Sequence, residues 1–245
     1  MQAKSKERSR KNVWKMFDQI SPKYDLLNHL LSFGADIHWR KKLIRYLPKN
    51  TDIRLLDLAT GTADQLITIV KKAKQVKSAL GIDLSQEMIR LGQRKIIDKP
   101  YTHQITLTEG DATDISLGNE SVDCVTMSFG IRNVENTEKC LSECMRVLTP
   151  RGRLLILEFS IPKNRLIKGC HLFYLRHVLP AIGGLISRQK EAYRYLNETI
   201  ETFPSGDAFC DLMKKAGFVR VKAHPMTLGV TTLYVGEKVP CKSAF

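Results

Sequence analysis

Four acids and one glycine are the residues from which chemistry can be argued first. The segment LDLATGTADQ, residues 56–65, passes through Asp57 into a small-residue turn and leaves it at Asp64. A turn that cradles a pyrophosphate needs glycines in the spacing G-x-G-x-x-G, so that backbone can approach the phosphates at a helix N-terminus. Here only Gly61 is present, and the flanking carboxylates of Asp57 and Asp64 are poor neighbours for a phosphate. They suit a cationic ligand. Asp83 follows Gly61 by 22 residues, close to the roughly 20 at which an acid takes a ribose diol. Asp111, followed by Ala112, is placed for an adenine amino group. S-adenosylmethionine carries a sulfonium and an ammonium and no phosphate, and the pattern favours it over NAD. Each acid alone reads more readily as a helix cap than as a ligand; the combination carries the weight.

These residues need elements to hold them at one edge. Short runs of branched residues, IRLLDLA, SALGIDLS, QITLTEGDA, VDCVTMSFG and RLLILEFS, read as five buried strands. Between them ADQLITIVKKAK, SQEMIRLGQRKI and NTEKCLSECMRVL have helical spacing; Ser85 and Asn136 are caps, and Pro150 and Gly152 are the stop signals of the last. Strands alternating with helices predict a parallel sheet covered on both faces. The ligand then sits outside the carboxyl ends of the strands, so Ser128 and the residues up to Asn133 join the candidates. VRVKAHPMT and TTLYVGEK close the chain as two strands around a turn with Gly229. An antiparallel last strand belongs to the methyltransferase form of this sheet, not to the NAD form. The expectation is therefore an α/β, Rossmann-like seven-stranded sheet of the class I S-adenosylmethionine-dependent methyltransferases. Residues 1–50 form an N-terminal arm and helical lid, 51–245 the methyltransferase domain, and about 163–200 a helical insert after strand 5.

Composition narrows the classes. The chain is 43% hydrophobic and 26% charged, which excludes a disordered protein. Its net charge of +14 points to something anionic, whether nucleic acid, acidic lipid or an acidic substrate. Six cysteines form no C-x-x-C pair, so neither a zinc site nor a disulfide framework is expected, and free thiols suit the cytoplasm. The basic opening MQAKSKERSRK has no apolar stretch behind it and does not read as a secretory signal. The uncharged run between Arg176 and Arg188 is about half of the ~20 residues that span a bilayer.

RNA methylation is the rival that the basic charge raises. An exocyclic amino-group methylase places an N/D-P-P-Y/F turn after the fourth strand, whereas SFGIRN has no proline. A 5-methylpyrimidine methylase needs a cysteine nucleophile there, and Cys124 lies inside the strand, where it reads as core. No nucleic-acid partner is expected. A methylase of another small molecule, an RNA-binding or RNA-methylating protein on the same sheet, or a non-catalytic S-adenosylmethionine-binding module stays as the alternative.

YDLLNHLLSFGADIHWR, LLDLATGTAD, SFGIRNV, RVLTPRGRLLILEFS, HVLPAIG and YRYLNETIETFP together resemble the ubiquinone/menaquinone biosynthesis C-methyltransferases, from about Val13 to Lys238. The chain departs from that pattern at Leu27 for Met, Asp36 for His, Thr60 and Ala63 for Gly, and TPRG for KPGG at 149–152. The resemblance implies methyl transfer from S-adenosylmethionine to a ring carbon of a polyprenylated demethylmenaquinol or benzoquinol. Carried over, its cofactor positions are Thr62, Asp83, Asp111, Ala112 and Ser128, beside Asp57 and Gly61 from the turn. A hydroquinol carbon becomes nucleophilic once a hydroxyl ionises, and a nearby fixed cation lowers that hydroxyl's pKa. Arg132 is the candidate cation; the other reading is a surface salt bridge. Tyr24 and Asp25 in the lid, and His177 and Tyr193 in the insert, are candidates for positioning the ring or relaying a proton. No metal is required by this chemistry. The insert at 165–190 reads as a tail tunnel or a plain lid, and the basic surface as a peripheral contact with anionic membrane at the cytoplasmic face. A homodimer is left open.

Overall fold

The structure is a computed structural model that describes residues 18, 29, 32–181 and 190–239, with only the backbone for 190–193. Tyr24 and Asp25 lie outside the described residues.

Seven strands form one sheet: β1 (Ile53–Leu58), β2 (Val76–Asp83), β3 (Ile105–Glu109), β4 (Val122–Ser128), β5 (Leu148–Phe159), β6 (Val219–Met226) and β7 (Thr231–Glu237). Their order is β3-β2-β1-β4-β5-β7-β6. β1 pairs in parallel with β2 and β4, whereas β7 runs antiparallel to both β5 and β6. The strand order reverses between β1 and β4, which is where such sheets open a crevice at their carboxyl ends.

The helices are α1 (Ala35–Leu43), α2 (Asp64–Lys72), α3 (Gln86–Ile96), α4 (Thr137–Val147), α5 (Arg165–Phe173), α6 (Lys190–Thr202) and α7 (Asp207–Lys215). The caps act as expected: Ser85 accepts from the Met88 N–H and Asn136 from the Lys139 N–H. Successive strand side chains point to opposite faces, and this divides the core. Leu55 and Leu66 pack with Trp39 and Ile89 on one face, and Leu56 and Val125 with Leu141 and Phe209 on the other.

Two expectations are corrected. Pro150 is not the end of a helix, since α4 stops at Val147 and Leu148 already pairs with Val122 at the start of β5. In the insert, α5 does not continue with regular spacing but passes into a wide π-type turn over Tyr174–Val178. Leu175, Leu179 and Ile200 form a small core here with Tyr174 and Leu196, and this core covers Phe159 at the end of β5.

Candidate active site

The turn after β1 places three residues in the left-handed region: Ala59 (φ 48°), Gly61 (φ 54°) and Ala63 (φ 66°). That coil returns the chain to the sheet edge within five residues and starts α2 at Asp64. Asp57, in register with Gly81 and Thr126 on its two neighbours, is wholly buried. Its carboxylate accepts from the hydroxyls of Thr60 (2.7 Å) and Thr126 (2.5 Å). Burial outweighs those two donors, and the Asp57 pKa is pushed up to about 6, with the Arg40 charge pulling the other way.

At the end of β2, Asp83 meets the turn across 22 residues. The Gly61 N–H donates to its Oδ2 at 2.8 Å, and the Ser85 N–H to its Oδ1 at 2.9 Å. Burial raises its pKa against these donors. The Leu84 N–H is a third backbone donor to this carboxylate. The Gly61 N–H, which a bound phosphate would need, is already used. The turn therefore fits a ligand with a ribose and no phosphate.

Thr62 is buried, and its hydroxyl accepts from Lys95 Nζ at 2.8 Å; the same ammonium pairs with Asp64 at 2.7 Å. Ser128 donates to Gln65 Oε1 at 3.1 Å. Arg40, Asp57, Thr60, Gly61, Gln65 and Ser128 are among the walls of a cleft of about 310 Å³, part of it open to solvent. Asp111 and Ala112 lie outside that cleft, beyond the end of β3; Asp111 accepts from the Thr113 N–H at 2.7 Å, and Ala112 is buried. Of the N-terminal segment, Asp18 accepts from the Ser85 hydroxyl, and His29 Nδ1 meets Asp36 Oδ2 at 2.8 Å.

Arg132 differs from both sequence readings. It is neither an open cation nor a surface salt bridge. It is buried, with Nη1 donating to Glu158 Oε1 at 2.6 Å and to the Phe129 carbonyl at 2.7 Å, while its Nε has no hydrogen-bond partner. Its guanidinium lies 5.4 Å from the Phe159 ring centroid. His177 does not join the strand-end group: it lies in the wide turn, exposed, with its ring tilted against Phe173 at 5.1 Å between centroids. Tyr193 is on α6, where only the backbone is described.

Three residues that the sequence reading passed over stand here. Arg40, from α1, lines the cleft with its guanidinium 5.4 Å from the Phe129 centroid. Gln65 joins Ser128 to the Arg40 carbonyl. Glu158 is enclosed beneath Arg132, and burial pushes its pKa up. A buried-strand run ending in an acid was a signal for Glu158; Arg40 had none beyond its place in HWR.

A sheet whose antiparallel last strand inserts beside β5, with a glycine-poor turn held by the acid that ends β2, defines a class I S-adenosylmethionine-dependent methyltransferase. A profile of the ubiE/COQ5 methyltransferase family matches residues 2–238, and the chain belongs to that family. It is 43% identical over 229 residues to the ubiquinone/menaquinone biosynthesis C-methyltransferase UbiE of Geotalea daltonii, covering 92% of this chain and 96% of the relative. It is 40% identical over 223 residues to the demethylmenaquinone methyltransferase of Porphyromonas gingivalis, covering 91% of each. In fold it is similar to a S-adenosylmethionine-dependent methyltransferase of Thermotoga maritima, with a TM-score of 0.63 at 18% identity over 92% of this chain and 99% of that one. The cofactor is S-adenosylmethionine. Among the described residues no helix is long and apolar enough to cross a membrane.

Proposed function

We propose that this methyltransferase acts on a ring carbon of a polyprenylated demethylmenaquinol, with a benzoquinol as the second acceptor to test. The names of the relatives support the acceptor class. The observation that carries the reading is a largely buried aromatic cluster at the ends of β4 and β5, next to the cleft-lining Arg40 and Ser128. Phe129 and Phe159 are 4.6 Å apart between centroids, Trp39 stands 6.0 and 6.1 Å from them, and Arg40 and Arg132 each lie over one ring. Such a cluster, with a guanidinium over two of its rings, would back a flat ring that carries an ionising hydroxyl.

Bound S-adenosylmethionine supplies an electrophilic methyl. The protein's part is to fix the ring, favour the ionised hydroxyl and exclude water. Arg132 favours the ionised form through its charge from within the protein, with less force than a lone cation because Glu158 neutralises part of that charge. The apolar cluster of Tyr174, Leu175, Leu179 and Leu196 closes over Phe159, and Tyr195 ties α6 to the loop after β4 through Asn133 at 3.2 Å. We place the start of the tail's path there. Tyr24, Asp25 and Tyr193 remain the proposed ring-positioning groups of the lid and insert.

A tail of this kind partitions into the bilayer. Phe33 (82% exposed) and Leu166 (77% exposed) present apolar side chains on the side of α5 and Tyr174, next to Lys163, Arg165 and Lys168. This rim is the proposed contact with anionic membrane.

The test is methyl transfer to a short-tailed demethylmenaquinol with and without reductant. Activity on the reduced form alone is expected, because the oxidised quinone is itself an electrophile with no hydroxyl to ionise. Equal rates on both forms would sink the mechanism. Flotation with neutral and anionic vesicles tests the rim: binding to anionic vesicles that salt releases is expected, and equal recovery on both would remove the charge attraction.

A further inference from the structure

Among the described residues Arg40 is the strongly buried cation of the cleft, and the turn chemistry does not use it. It is 8% exposed, and its Nε is buried with no hydrogen-bond partner. Asp36 Oδ2 forms an ion pair with that Nε at 3.8 Å, too long for a hydrogen bond. Asp36 is moreover already served, with Oδ1 accepting from the Ser32 hydroxyl at 2.8 Å and Oδ2 facing His29 at 2.8 Å. A buried guanidinium with an unmet donor is costly unless an anion completes it. The Arg40 Cζ lies 5.4 Å from the Phe129 ring centroid, and the residue lines the cleft.

The facing walls set the chemistry of that anion. Asp57 and Asp64, the latter at the start of α2, also line the cleft, so it holds a cation together with two carboxylates. That arrangement complements an α-amino-acid zwitterion. Asp83 claims the ribose at the end of β2, which leaves the turn side of the cleft for the other end of the cofactor. We propose that Arg40 binds the carboxylate of the methionine moiety of S-adenosylmethionine, with the ammonium toward Asp57 and Asp64. Arg40 is thereby a cofactor-binding residue supplied from α1, outside the sheet that holds the rest of the site. This inference does not depend on which acceptor is methylated.

The probe is a pair of ligands that differ in one group: S-adenosylmethionine and its decarboxylated form, which keeps sulfonium and ammonium. Calorimetric titration without acceptor reads affinity directly. The native protein should prefer the carboxylate-bearing ligand by about 10- to 100-fold, the range for a charge-assisted pair. Arg40→Gln should lose that preference, with the decarboxylated ligand bound within about twofold of native. Arg40→Lys should recover part of it, because an ammonium lacks the planar fork. Thermal unfolding of each variant shows whether it is folded. Equal loss for both ligands in folded Arg40→Gln would overturn the assignment, as would unchanged affinity for S-adenosylmethionine. Should Arg40→Gln not fold, the native protein still decides: equal affinity for the two ligands would overturn the proposal.

Discussion

Glu158 and Arg132 meet at 2.6 Å inside the protein, with the carboxylate wholly enclosed and the guanidinium nearly so. Breaking a buried pair from one side strands a charge at a cost of roughly 3–5 kcal/mol. Arg132→Gln alone therefore loses stability and activity together and says little about chemistry. Replacing both, Arg132→Gln with Glu158→Gln, leaves no stranded charge and should unfold near the native temperature. Its pH–rate profile should shift upward and turnover at neutral pH should fall by on the order of 10-fold, less than for an unpaired cation. A native profile in the double variant would return the pair to a purely structural role.

Asp57 makes stability depend on pH in the less common direction. Its folded pKa of about 6 lies above the unfolded value, which is ~3.9. Between those values the native state holds the extra proton, so stability falls as pH rises through the window from about 4 to about 6 and then levels off. Two units correspond to roughly 3 kcal/mol. Asp57→Asn should remove that slope and leave the ligand-free protein more stable at pH 7.5 than the native chain. Urea unfolding at pH 5 and pH 7.5 for both proteins checks this; equal differences would dismiss Asp57 as the source.

Asp83→Ala should weaken S-adenosylmethionine binding by about 2 kcal/mol, since a charged acceptor for the diol is lost. It also frees the Gly61 and Ser85 N–H groups that Asp83 now holds. Asp83→Asn keeps an acceptor at one of these positions and should lose less. Calorimetry on the two variants orders them, and an alanine variant with native affinity would take Asp83 out of the site.

Gly81 and Thr60 form a fitted pair. A Cβ added at Gly81 would stand 2.9 Å from Thr60 Oγ1, 3.0 Å from its Cγ2 and 2.7 Å from Leu107 Cδ2. Gly81→Ala should therefore destabilise the protein by about 1–3 kcal/mol. Part of that loss should return in Gly81→Ala with Thr60→Gly, although Asp57 then forfeits the Thr60 hydroxyl. A double-mutant cycle by thermal unfolding with no coupling would show that Thr60 simply moves aside.

The strand ends were legible because each combines a local apolar run with an acid, and both signals lie within a few residues. Asp57, Gly61 and Asp83 could be grouped from spacing alone, and the structure brings them together at hydrogen-bond distance or one residue removed. Arg132 was legible as a strand-end cation, but its partner Glu158 is 26 residues away on β5, and pairing across a sheet leaves no trace in local pattern. Arg40 was hidden for the same reason: its importance comes from α1 folding back over the turn. His177 stands out in the sequence by its residue type and its place in the insert, neither of which says which way it faces; its exposure is set by how the turn at Tyr174–Val178 packs.

The placement of β7 between β5 and β6 has a consequence for the chain as it is made. Synthesis delivers β5 long before its neighbour, so Leu154–Phe159 wait with one edge unpaired, an edge that other chains can adopt. The Trp39 indole waits longer still, for its partner is the hydroxyl of Thr227, 188 residues on, at 2.7 Å. Helix α1 is thus born early and seated late, and the cofactor cleft it walls off cannot form on the ribosome before the closing hairpin arrives. Stalled chains ending before Thr231 should be cut quickly by protease within 35–43, whereas released full-length chains resist.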